Sequence, residues 1–340
     1  MTYDEIMREI TTGLTGDADK DRDYLKEQME KYKEHELATE IIRACGRLFY
    51  ELIPEDKKDE LAHVMDNDMN GIHAVLDEVR FNIYKKEYSK ALDLMGNLVE
   101  KTKRNPMYQN DSVTEYFSFA TPFEFFMYVQ RFKSGKEIKW IEYPFSAIYL
   151  QYGSLLIDLK RYEEANQMLE KALRWNPMSA KIGYEYAETF KIMGMMDKYM
   201  EATRKAFSVA YTKEEVARGY RNFGYYFIEQ EKYRAAIGCY LLSLQYDRES
   251  KNAQSELYYI HQKTNGEVKQ PTIEELESIA KIEDFPMGVN RDVLGIAVSY
   301  GKHFLEQGQT EGARTMFEIV YDLTDDEAIK EVLDKLPNEE

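Results

Sequence analysis

The sequence predicts an all-α fold: an α-solenoid of antiparallel helix pairs behind a helical N-terminal cap. Three observations lead there. The stretch from Phe145 to Pro177 reads as two short amphipathic helices joined by a turn at Lys160 and Arg161. Tyr149, Tyr152, Gly153 and Leu156 recur at helical spacing in the first, and Ala165, Leu169, Ala172 and Leu173 in the second. The same spacing returns as Tyr220, Phe223, Gly224 and Phe227 with Ala236 and Tyr240. It returns again as Ala297, Tyr300, Gly301 and Phe304 with Ala313 and Phe317. A weaker copy lies between the first two: Gly183, Tyr186, Ala187 and Phe190, a turn at Met193 and Gly194, then Tyr199 and Thr203. Finally, one such pair cannot bury its own apolar face, so recurrence implies stacking.

Within each pair, a small residue stands where two helices must approach closely: Gly153 and Ala165 in the first copy, with Pro177 stopping its second helix. These positions fit the repeat pattern W-x2-L-G-x2-Y…A-x3-F…P of about 34 residues. The chain therefore resembles the tetratricopeptide repeat family, with Tyr in place of Trp and Leu in place of Phe in the best copy. The resemblance implies a concave groove lined by the first helix of each pair, which commonly holds an extended peptide or a partner helix.

In chain order, residues 1–71 are expected to form the cap. Asp4 to Ile10 predicts a short helix, and Asp17 or Asp19 caps a second that runs to about Lys33. A third, from about Leu37 to Ile53, has Ile41, Ile42, Cys45, Leu48, Phe49 and Leu52 on its apolar side and ends at Pro54. The repeat array is expected over 72–322, as 72–104, 107–143, 146–177, 180–211, 217–248, 249–291 and 294–322. Of these, 107–143 is degenerate and aromatic-rich, with most of Tyr116, Phe117, Phe119, Phe123, Phe125, Phe126, Tyr128 and Phe132 in the core, and 249–291 is degenerate as well. Residues 323–340 supply a polar capping helix and a tail, with Ala328, Ile329, Val332, Leu333 and Leu336 inward.

Composition limits the function classes. The 340 residues carry 62 acidic against 45 basic side chains, a net charge of −17, which repels phosphate backbones and argues against a nucleic-acid partner. The N-terminus has no apolar signal core and no run approaches the roughly 20 apolar residues of a membrane helix. Two cysteines, Cys45 and Cys239, make neither a disulfide framework nor a zinc spacing. The expectation is a soluble, cytoplasmic protein. No nucleophile elbow, phosphate loop, dinucleotide fingerprint or HExxH is present, so no catalytic residue and no cofactor are expected.

One stretch is similar to a metal-binding motif. Asp66, Asp68, Asn70 and Gly71, followed by Asp77, match most of a calcium loop, but Asp at the twelfth position and His73 at the eighth depart from it. The main expectation is no metal.

The functional expectation is a non-enzymatic protein- or peptide-binding scaffold. Counting the inner face of the first helices brings together Lys181, Tyr184 and Lys191 from one repeat and Arg218, Arg221 and Tyr225 from the next. Arg–Tyr clusters of this kind are enriched at binding hot spots and suit an acidic or C-terminal-carboxylate peptide. On this reading Arg221→Ala weakens binding and leaves stability unchanged. The chaperone-tail clamp implied by some relatives needs Asn after the repeat glycine, whereas Ser154, Tyr225 and Lys302 stand there. The alternative is a peptide-responsive regulator, similar in layout to Rap-type receptors, whose N-terminal helical unit contacts an effector.

Overall fold

The computed structural model describes the backbone of residues 2–104, 108 and 110–337. It describes their side chains except at residues 4, 39, 40, 43, 47, 50, 51, 55, 56, 58–70 and 104. The chain divides into two compact units, residues 1–117 with 134–143, and residues 118–133 with 144–340.

The first unit opens with α1 (Tyr3–Thr12), α2 (Ala18–Lys31) and α3 (Ala38–Glu51). Thr2 and Glu5 form a capping box on α1, and Asp17 caps α2 as its sequence position suggested. Ile6, Ile10, Leu25, Ile41 and Cys45 are buried together, with Leu48, Phe49 and Leu52 packed around them. Burial pushes the Cys45 thiol up to about 11.

Next come α4 (Glu55–Tyr84), α5 (Tyr88–Arg104) and two four-residue strands, β1 (Thr114–Phe117) and β2 (Glu137–Trp140), paired in parallel with Thr114 opposite Glu137. Two expectations change here. Helix α4 runs unbroken across the boundary expected at residues 71 and 72. Residues 66–77 therefore lie on a helix, whereas a calcium loop needs a sharp turn at Gly71; the side chains of Asp66, Asp68 and Asn70 lie outside the described residues. Among the described residues no group of three His, Cys, Asp or Glu side chains is placed to hold a metal ion. The span 107–143, expected as a degenerate helical pair, instead supplies the two strands with one helix between them.

That helix, α6 (Pro122–Arg131), belongs to the second unit. It is followed by α7 (Phe145–Asp158), α8 (Tyr162–Trp175), α9 (Ala180–Ile192), α10 (Met196–Phe207), α11 (Lys213–Glu229) and α12 (Tyr233–Tyr246). Then come α13 (Lys251–Lys263), α14 (Ile273–Glu283), α15 (Arg291–Glu306), α16 (Thr310–Thr324) and α17 (Glu327–Lys335). Helices α7 to α12 stack as three successive hairpins, and α15 and α16 form another. The repeat signature is what packs them. A Cβ on Gly153 would come within 2.6 Å of Leu169, one on Gly224 within 2.7 Å of Tyr240, and one on Gly301 within 2.9 Å of Phe317. The glycine of each first helix thus receives the large residue that follows the alanine of the second by four.

The hairpin turns also repeat. Lys86, Lys160, Gly194, Glu231 and Gly308 all adopt left-handed φ values between 56° and 72°. The next N–H then reaches back 2.8 Å to the carbonyl of Asn82, Leu156, Phe190, Phe227 or Phe304, which closes each helix as a Schellman motif. Three of these five positions are not glycine, where a left-handed L-residue costs about 1–2 kcal/mol. Lys160→Gly and Glu231→Gly are each expected to raise stability by about 0.5–1 kcal/mol net of glycine's backbone entropy, read as a shift in denaturation midpoint.

The second unit does not remain a simple stack. Helices α13 and α14 both pack on α12, with Leu276 against Gly238. The chain then turns back, so that α15 packs on α6: Phe126 stacks on Tyr300 at 4.2 Å and meets Phe304 at 5.7 Å. Arg131 and Asn290 both donate to the carbonyl of Ser208, each at 2.8 Å, which ties α6 and the start of α15 to the end of α10. Most of the aromatic run is core, as expected: Tyr116, Phe117, Phe119, Phe123 and Tyr128 are buried, while Phe132 is 48% exposed. At the C-terminus Ile329, Val332, Leu333 and Leu336 pack against Ala313 and Phe317, but Ala328 is exposed.

Candidate functional site

The first helices α9, α11 and α13 face a cleft of about 270 Å³, lined among others by Lys191, Arg218, Arg221, Asn222, Tyr225 and Glu256. Positions 218, 221, 222 and 225 share one face of α11 because residues three and four apart are neighbours on a helix. Tyr199 of α10 and Tyr240 of α12 reach the cleft from the second helices; Tyr199 is fully buried and Tyr240 nearly so. Burial raises both phenols well above their ordinary range.

The structure gathers four of the six residues expected from the sequence: Lys191, Arg218, Arg221 and Tyr225. The other two stand elsewhere. Lys181 is exposed and does not line the cleft. Tyr184 is fully buried beneath α11, where a Cβ on Gly219 would meet its hydroxyl at 2.5 Å, and that hydroxyl has no hydrogen-bond partner. Its ring instead supports the Arg218 guanidinium, 5.4 Å from the centroid.

The cleft's cations are already engaged. Arg218 pairs with Glu185 of α9 at 2.8 Å. Lys191 pairs with Glu188 at 2.5 Å and sits 4.8 Å from the Tyr225 centroid. Arg221 uses Nη1 to reach Asp247 at 3.1 Å and the hydroxyls of Ser243 and Ser250 at 3.4 Å. Burial pulls the Arg221 guanidinium below its ordinary value, and Asp247 opposes that pull. Arg221, expected from the sequence to meet a ligand, thus already has partners within the fold. Its side chain ties α11 to the end of α12 and the residue that precedes α13, so its truncation is expected to destabilise the fold.

Besides Tyr199 and Tyr240, three lining residues were not anticipated as part of the site. Asn222 accepts the Tyr199 hydroxyl on its main-chain carbonyl at 3.2 Å, while its Nδ2 is buried without an acceptor. Asn252 and Glu256 enter from α13, whose sequence lacks the repeat signature, so the count of inner-face positions never reached them. Desolvation raises the Glu256 carboxyl, and Lys191 acts in the other direction.

No family model matches the chain, and no curated protein matches it. Among solved structures it is similar to a tetratricopeptide repeat protein from Parabacteroides merdae, at 12% identity over 98% of this chain and 97% of that one, with a TM-score of 0.39. It is also similar to MamA, at 11% identity over 61% of this chain and 94% of that one, with a TM-score of 0.39. A third is YrrB, described as a TPR protein with an unusual peptide-binding site, at 14% identity over 56% of this chain and 92% of that one, with a TM-score of 0.31. Among the described residues no helix is long and apolar enough to cross a membrane. With each first-helix glycine seated against a large residue of the second helix, and with their shared left-handed turns, the hairpins have a tetratricopeptide-like fold.

Proposed function

We propose that the chain is a non-enzymatic scaffold that holds an extended protein segment in the cleft between α9, α11 and α13. The observation that carries this reading is an open cleft lined by the helices α9, α11 and α13, with the exposed Asn252 amide among its lining residues. Tyr225 supplies a rigid, half-buried ring to the same cleft, the kind of surface that anchors interfaces. The acidic or C-terminal-carboxylate ligand expected from sequence would have to displace Glu185, Glu188 or Asp247 from their cations.

The test uses the full chain as bait against lysate of its native host, beside a cleft variant carrying Asn252→Ala and Tyr225→Ala. The expected result is a partner whose captured amount falls at least about tenfold with the variant, equivalent to about 1.4 kcal/mol. A partner captured equally by both proteins would place binding elsewhere.

A further inference from the structure

Resting on the cleft reading, we propose that the partner presents a cationic side chain, Lys or Arg, to Glu256, with its main chain beside Asn252 on the same helix. The ion pairs decide the sign. Lys191, Arg218 and Arg221 each have a carboxylate of their own in Glu188, Glu185 and Asp247. Glu256 lines the same cleft and makes no ion pair among the described residues. The group therefore holds three cations against four carboxylates, a net charge of −1, and the unmatched charge is Glu256.

Lys191 is the cation that acts on Glu256, and it is held against the Tyr225 ring and Glu188, so Glu256 remains open to a ligand. Partial desolvation of a carboxylate is offset when an arriving cation hydrogen-bonds to it. The field of the whole chain has the same sign: a net charge of −17 speeds the approach of a basic segment and opposes an acidic one. Asn252, exposed one helical turn before Glu256 on α13, offers an amide to the ligand's main chain.

The test titrates the full chain by calorimetry with three capped amino acids: N-acetyl-arginine amide, N-acetyl-lysine amide and N-acetyl-glutamate amide. Each carries two amides and one charged side chain. The expected result is saturable binding of the two cationic probes at about millimolar affinity. Glu256→Gln should weaken it at least about fivefold, and Asn252→Asp should tighten it. Both positions are at least partly exposed, so melting temperatures serve only to confirm an intact fold. Saturable binding of the glutamate probe, lost in Lys191→Ala, would overturn the inference and leave the cleft reading standing. Cationic binding unchanged by Glu256→Gln would also overturn it. If none of the three probes saturates, both readings fall.

Discussion

Phe285→Ala is expected to cost about 3–4 kcal/mol of stability, within the usual range for truncating a buried phenylalanine. Phe285 follows α14 in a segment whose sequence, Phe-Pro-Met-Gly, reads as a plain loop. In the structure it is 5% exposed, with its ring 6.4 Å from Phe223 and 5.5 Å from Phe227. The Tyr220 hydroxyl locks the same loop by donating to the Pro286 carbonyl at 3.2 Å and accepting the Gly288 N–H at 2.6 Å. This segment delivers α15 to its place on α6. Loss of the ring should therefore act locally as well as globally: amides of residues 285–306 should lose hydrogen-exchange protection before those of α11 and α12. A loss below about 1 kcal/mol with uniform protection would show that the terminal hairpin is held without this anchor.

The second large effect is expected at Glu124. Its carboxylate is 3% exposed, and one oxygen accepts from the N–H groups of Ala120 and Thr121, at 2.6 and 3.2 Å, and from the buried Asn176 amide at 2.8 Å. Glu124→Ala strips the acceptor from all three and is expected to cost about 2–3 kcal/mol. Glu124→Gln keeps a carbonyl oxygen for them and removes the charge. Burial raises the carboxyl of Glu124, and it raises that of Glu215, which Glu124 pushes up further. Tyr211 faces both and donates or accepts through its hydroxyl at Thr121.

The sign of the pH effect follows. A folded-state value above the unfolded one means that stability is fully present below the ordinary carboxylate range and is lost as pH rises through the raised value. Glu124→Gln should therefore melt higher than the natural protein at pH 8, and the gap should close on acidification towards the ordinary carboxylate range. A gap that stays constant with pH would mean that Glu124 is not the titrating group.

The hairpins were legible because their packing is written in neighbouring residues. Gly153 with Leu169 and Gly224 with Tyr240 are each separated by 16 positions, a spacing set by two helices and one turn. Helix α4 was not legible: Asp66 to Gly71 looks like a loop, yet each such residue costs a helix only about 0.5–1 kcal/mol. The helix carries through because helical segments lie on both sides. The strands were hidden by their own aromatics, since Tyr116 and Phe117 count as core in a helix or a strand alike. In the cleft, the three-to-four spacing exposed Arg218, Arg221 and Tyr225. What it could not expose was their neutralisation, because Glu185 and Asp247 come from other parts of the array. Tyr184 failed for a related reason. Its inner-face position is right by count, but Gly219 on the next first helix lets α11 close over it.

Receipt of a protein segment by the cleft between α9, α11 and α13 can be read directly. The most direct measurement is hydrogen exchange of the full chain with and without its captured partner, read peptide by peptide. The expected result is added protection concentrated in peptides spanning residues 185–192, 218–229 and 251–260. Protection confined to α8 and α10, or to α1 through α5, with those three stretches unchanged would contradict it.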